Sequence, residues 1–207
     1  MMECKKALVE SGGDIDAAIE AMRKSGKAKA AKKAGRTAAD GVVMIDIAAD
    51  AKTGVMVEVN SETDFVAKDT SFAAFAEAVT ARALTGDAGD VQALAGMSLN
   101  EGEDGTVAQA REELVTKIGE NIQLRRLVRF DNTKGELYSY RHGVRIGVVV
   151  EIEGGDAALG KDIAMHIAAT NPMCVSADEV PAETLEKEKD IFRAQALESG
   201  KPANIVE

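Results

Sequence analysis

Aromatic side chains are scarce in this sequence: five Phe, two Tyr and no Trp among 207 residues. A core built from it must consist of Ala, Val, Ile, Leu and Met, so each aromatic is worth locating by itself. Histidine is rarer still, His142 and His166 alone. No HExxH, GxSxG or CxxC pattern occurs, which removes the common signatures of zinc hydrolases, serine hydrolases and redox dithiols. Cys4 and Cys174 have no metal-ligand spacing; they fit a reducing compartment and argue against zinc. No apolar run reaches the ~20 residues of a membrane span. The longest, Ile146 to Ile152, is interrupted by Gly147 and Glu151 and has the length of a strand. Met1-Met2-Glu3-Cys4-Lys5-Lys6 leads into an amphipathic pattern and not into the hydrophobic block of a secretory signal. Positive charge is short as well, with 25 Lys and Arg against 35 Asp and Glu, a net charge of −10. Phosphate binding needs a positive surface, so a free-standing nucleic-acid binder is disfavoured. The expected location is cytoplasmic.

What is present points to a folded chain. The apolar share, 45%, excludes a wholly disordered protein, and the length suffices for a core without disulfide or metal staples. Residues 3 to 24 predict two short helices. Cys4, Ala7, Leu8 and Val9 form the apolar side of the first. Ser11-Gly12-Gly13 breaks it, Asp14 caps the second, and Ile15, Ala18, Ile19 and Met22 recur at helical spacing. Two helices are too few to stand alone, and a helix before Met1 is the expected third partner. Arg23 to Arg36 then carries seven basic residues and no acid. It reads as a solvated helical linker; the rival reading is an RNA-binding, ribosome-associated module using segment 23–36.

From Val42 the period changes to two. Val42 to Ile47 and Val55 to Val59 predict strands, and Phe72, Phe75, Ala76, Val79 and Ala83 predict a helix with a core-facing stripe. A Gly- and acid-rich loop at 86–105 holds a short helix near Val91 to Leu94, and Val107 to Ile118 predicts another helix, stopped by Gly119. Three strands follow, Ile122 to Phe130, Leu137 to His142 and Arg145 to Ile152, with Asp131 to Gly135 expected as a hairpin loop. Leu159 to Ala169 predicts a helix, and Leu185 to Ser199 a helix with a thin apolar stripe of Leu185, Ile191, Phe192 and Leu197 that suggests a projecting arm. The pattern repeats weakly: Gly54-Val-Met-Val-Glu-Val-Asn60 and Gly147-Val-Val-Val-Glu-Ile-Glu153 each precede a loop and a helix. The fold class is α+β with antiparallel sheets.

Two motifs stand between a strand and a helix. Gly155 to Asp162 matches GxxxxGK, but a phosphate-binding loop needs Ser or Thr where Asp162 stands, and Asp156 would repel a phosphate. Asp156 is expected to cap the helix and Lys161 to be solvated. His166 is expected to pack within its helix. The other motif is Asn60-Ser-Glu-Thr-Asp-Phe-Val-Ala-Lys-Asp69. Phe65 is out of phase with the stripe of the following helix. It either folds back as a cap on the core or stands out as a rigid apolar probe for a partner.

Thr63-Asp64-Phe65-Val66-Ala67-Lys68 resembles the signature of bacterial elongation factor Ts. The likeness extends to Met1 to Leu8, Gly13-Asp14-Ile15, Ala30 to Arg36, Lys117-Ile118-Gly119-Glu120-Asn121-Ile122, His142 to Gly147 and Ala164 to Ala169. The resemblance implies a ubiquitin-associated-like helical domain and basic linker at 1–36, a core of two hairpin-plus-helix halves at 37–119 and 120–180, and the first helix of a coiled-coil arm at 181–207. It implies a helix before Met1, and beyond Glu207 a second arm helix, a return to the sheet and a C-terminal helical module. It also implies a partner, elongation factor Tu, whose GDP the protein releases by disrupting the magnesium and phosphate site. Asp64 and Phe65, with Thr63, match the family's wedge; Ile118, Gly119, His142, Met1 and Met2 match other partner contacts. It implies no enzyme activity, no cofactor and no metal of its own, no nucleic acid, no membrane, and a homodimer or a 2:2 complex through a complete arm.

Overall fold

The computed structural model describes residues 2–102 and 104–199, the side chain of Glu3 excepted. The site expectation for Met1 and the end of the arm at 200–207 lie outside the described residues. The chain divides into two units, Met1–Ala168 and Ala169–Glu207.

In the first unit, α1 (Met2–Glu10) and α2 (Ile15–Lys33) are joined by Gly12 and Gly13, whose φ values of +62° and +90° suit glycine. Asp14 caps α2, accepting a hydrogen bond from the Ala17 N–H at 3.0 Å. The basic residues Arg23 to Lys33 fall in the second half of this one continuous helix, and Arg36 lies beyond its end. Ala7 and Ala18 are buried where the two helices meet, whereas Leu8, Val9, Ile15, Ile19 and Met22 remain exposed. Two helices pair through small residues but cannot enclose a stripe this wide. Further along, Ala30 of α2 joins the main core.

That core lies under a three-stranded antiparallel sheet. β1 (Asp40–Ile47) and β2 (Gly54–Ser61) pair with Val42 opposite Val59 and Met44 opposite Val57. Opposed residues share a face, so Val55, Val57 and Val59 all point inward and are fully buried. After the short helix α3 (Asp64–Ala67), α4 (Thr70–Thr85) lays Phe72, Phe75, Ala76, Val79 and Ala83 against them, the stripe expected from the sequence. α5 (Val91–Gly96) and α6 (Val107–Ile118) close the core with Leu94, Val107, Leu114 and Val115. A capping box of Thr106 and Gln109 starts α6, and Gly119 ends it at φ +92°.

β3 (Gln123–Phe130) pairs with β2, giving the order β1-β2-β3, while β4 (Glu136–His142) and β5 (Ile146–Ile152) form a separate hairpin. This corrects the grouping of three successive strands in one half, and the hairpin loop expected at Asp131 to Gly135 is a link between two sheets. The link is docked on the β1–β2 turn. The Lys52 ammonium donates to the Lys134 and Gly135 carbonyls at 2.9 and 2.7 Å, and the Thr133 N–H donates to the Lys52 carbonyl at 3.2 Å. The β4–β5 hairpin covers the outer face of β1. Gly147 comes so close that an added Cβ would stand 2.7 Å from Val43 Cγ1. The Val43 N–H donates to the Val144 carbonyl at 2.7 Å, and Arg145 meets Asp40 at 3.3 Å.

On the hairpin, α7 (Ala157–Thr170) buries Gly160 and Ala164. Asp156 accepts from the Leu159 N–H at 2.9 Å, the capping role expected for it, and Lys161 is exposed. His166 is also exposed, because the buried side of α7 is made by the smaller Gly160 and Ala164. In the second unit, a 3-10 turn (Ala177–Glu179) precedes α8 (Ala182–Glu198). Leu185, Ile191, Phe192 and Leu197 of α8 are exposed, and Lys189–Glu186 and Arg193–Asp190 pairs line its surface.

Candidate functional site

The corner between β2 and α4 is built by capping. Thr63 caps α3, its hydroxyl accepting from the Val66 N–H at 3.4 Å. Asp69 caps α4, accepting from the Ser71 and Phe72 N–H groups at 2.8 and 3.2 Å. Those two N–H groups, Phe72 first, hold the Asp69 carboxyl below its ordinary range. One helical turn between two caps leaves only two side chains room to turn inward, Val66 and Ala67, and both are buried. Phe65 is left outside at 81% exposure. The outward reading therefore prevails over the core-cap reading, because the buried positions beside it are already filled.

Asp64 precedes Phe65 and is exposed; the Lys68 ammonium, bonded to it at 2.8 Å, holds its carboxyl below the usual range. An exposed pair of this kind is weak and its members can exchange partners. The corner thus presents an apolar ring and a carboxylate side by side.

The corner is tied to a second one, the turn from α6 into β3. Glu120 Oε2 accepts from the Glu62 and Thr63 N–H groups at 3.1 and 3.0 Å, and Glu120 Oε1 accepts from the Thr63 hydroxyl at 2.8 Å. Glu62 Oε1 in turn accepts from the Asn121 N–H at 2.6 Å. Arg36 lies 3.5 Å from that same oxygen, and Asn121 donates to the Arg36 carbonyl at 2.7 Å, which adds the segment after α2. Across the face, the Lys117 ammonium donates to the Ser71 hydroxyl at 2.7 Å. Thr63, Asp64 and Phe65 thus share one bonded platform with the turn holding Ile118 and Gly119. Ile118 packs against the core, and Gly119 needs its left-handed backbone to end α6.

The other expected positions are elsewhere. Met2 is exposed on α1, and His142 is exposed at the turn end of β4, where its Nδ1 shares a 3.0 Å hydrogen bond with the Tyr140 hydroxyl. Sequence reasoning missed Glu62, Glu120 and Asn121 as builders of the corner. The signal was slight: a helix-stopping glycine followed at once by an acid and an amide. Among the described residues no grouping of three or more His, Cys, Asp or Glu could hold a metal, and no helix is long and apolar enough to cross a membrane.

The fold defines a mixed helix-and-sheet protein with antiparallel sheets, α+β in class. A family model described as Elongation factor TS matches residues 62–207. An elongation factor Ts from Alcanivorax borkumensis is 58% identical over all of this chain and 72% of its own length. One from Methylococcus capsulatus is 56% identical, with 100% and 70% covered, and one from Arthrospira platensis 55%, with 100% and 83% covered. The chain belongs to the elongation factor Ts family, a family of translation elongation factors.

Proposed function

We propose that this chain is a guanine nucleotide exchange factor that binds elongation factor Tu and promotes the release of its GDP. The observation that carries this reading is Phe65, a large apolar side chain held in solvent on a capped and bonded corner. An exposed aromatic on a rigid support is the form of an interface anchor, since its ordering cost is met before binding. Inserted beside the partner's phosphate site, Phe65 displaces the elements that hold the magnesium, while Asp64 competes for polar contacts there. The diphosphate then loses its counter-charge and its affinity falls. Linkage requires the converse, that GDP weakens the grip of the exchange factor by the same factor. Ile118 and Gly119 are proposed to touch the same domain from the adjoining turn, as are Met2 of α1 and Met1, and His142 is proposed to touch another partner domain. The reaction breaks no covalent bond.

The test is stopped-flow release of a fluorescent GDP from elongation factor Tu. Phe65→Ala is expected to slow release by about a hundredfold, on the scale of a lost interface anchor. An unchanged melting temperature would accompany it. Release at the wild-type rate would overturn the wedge assignment.

A further inference from the structure

We infer that Glu120 is a positioning residue for the Phe65 wedge, acting with Glu62 in a reciprocal carboxylate exchange between the two corners; this rests on the exchange reading above. Each corner sends its carboxylate to the other's backbone. Glu120 takes the Glu62 and Thr63 N–H groups and the Thr63 hydroxyl, and Glu62 takes the Asn121 N–H. Three of the four bonds fall on the residues that directly precede Asp64 and Phe65. Bonds from N–H to a carboxylate are shorter and stronger than neutral ones, and these are half-buried, where water competes less.

The arrangement also explains why Thr63 is well suited to its position. Its hydroxyl accepts from the Val66 N–H and donates to Glu120 Oε1, so the cap of α3 and the tie to the second corner pass through one oxygen. Rotating the Thr63 side chain would break both. The direction in which α3 starts, and so the direction in which Phe65 points, is set by Glu120 from outside the helix. Val66 and Ala67 bury the opposite side but do not by themselves fix the entry of the chain. Glu120 touches neither the partner nor its nucleotide in this account; it acts through Phe65.

The experiment is a double-mutant cycle read by GDP release from elongation factor Tu at saturating exchange factor. Glu120→Ala is expected to lower the saturating rate about tenfold, the scale of a misplaced group. In a Phe65→Ala background it is expected to lower the rate less than about twofold, because a residue acting through Phe65 has nothing left to position. Amide hydrogen exchange at Glu62 and Thr63 should accelerate in the Glu120 variant while that of β2 stays protected. Glu120→Gln keeps the shape and one oxygen for the two N–H groups but turns a donor toward the Thr63 hydroxyl, which loses its acceptor, and it carries the same test should Glu120→Ala fold poorly. A full rate in the folded Glu120 variants, or two losses that multiply, overturns the positioning role. A full rate for Phe65→Ala overturns the wedge assignment and the positioning role with it, whereas a wild-type chain that does not speed GDP release overturns the exchange reading itself, so the failures are distinguishable.

Discussion

Gly54 to Asn60 and Gly147 to Glu153 share a strand sequence in which Val, Val and then Val or Ile alternate behind a leading glycine, with Glu at the same place. Their surroundings differ. β2 is the central strand, flanked by β1 and β3 and covered by α4, and Val55, Val57 and Val59 are wholly buried. β5 pairs with β4, and Val148, Val150 and Ile152 are half-buried. The corners that follow differ too. Residues 62–69 carry two caps and the Glu120 tie, whereas Gly154 and Gly155 turn at φ +85° and +86°. Similar strands acquire different burial from their neighbours, which is why β propensity reflects context more than the residue itself. The proposed probe stands on the corner with more supports.

The largest effect expected from breaking this comparison is in the first core. Phe72→Ala should cost about 4 kcal/mol, against less than about 1 kcal/mol for Leu159→Ala on the exposed side of α7. Urea unfolding measures both, and equal losses would remove the distinction. Gly160→Ala comes next. A Cβ there would run into the Tyr138 ring, so α7 must shift on its hairpin, at about 2 kcal/mol. A neutral result would show that α7 is loosely seated. The equivalent valines sharpen the contrast further: Val57→Ala should cost about 2 kcal/mol and Val150→Ala about 1 kcal/mol. The smallest effect is electrostatic. The lowered carboxyl of Asp69 contributes stability above its ordinary value of 3.8, and that contribution is lost as pH falls through the folded value. The melting-temperature gap between wild type and Asp69→Asn should therefore be full at neutral pH and shrink in acid. A gap that does not change with pH would assign the cap's effect to hydrogen-bond geometry and not to charge.

The stripe of α4 was legible because burial there follows a local period, and Phe72, Phe75, Ala76, Val79 and Ala83 all turn inward. Phe65 was legible as an exception to that period, although only the structure chose between its two orientations. The pairing of β3 was not legible. Asp131 to Gly135 has the composition of a hairpin loop, but strand pairing is decided by a neighbour far away in the chain. Glu120 escaped for the same reason, since its three bonds join residues separated by most of the helical segment. On α2, the periodic residues Ile15, Ile19 and Met22 predicted a buried stripe, yet α1 alone cannot cover it.

The pairing of β2 with β3 has a consequence for the order in which the molecule is made. β2 ends at Ser61, and its neighbour begins at Gln123, after α3 to α6 have been formed. On the ribosome, the β1–β2 hairpin emerges with an open edge and must wait for that whole segment, since long-range pairing bears its loop-closure cost first. The carboxylates of Glu62 and Glu120 can reach each other's turn only after that segment has been made. A nascent chain stopped before Glu120 displays Phe65 without its bonded support, so the fold links readiness of the probe to completion of the helical segment that leads into β3.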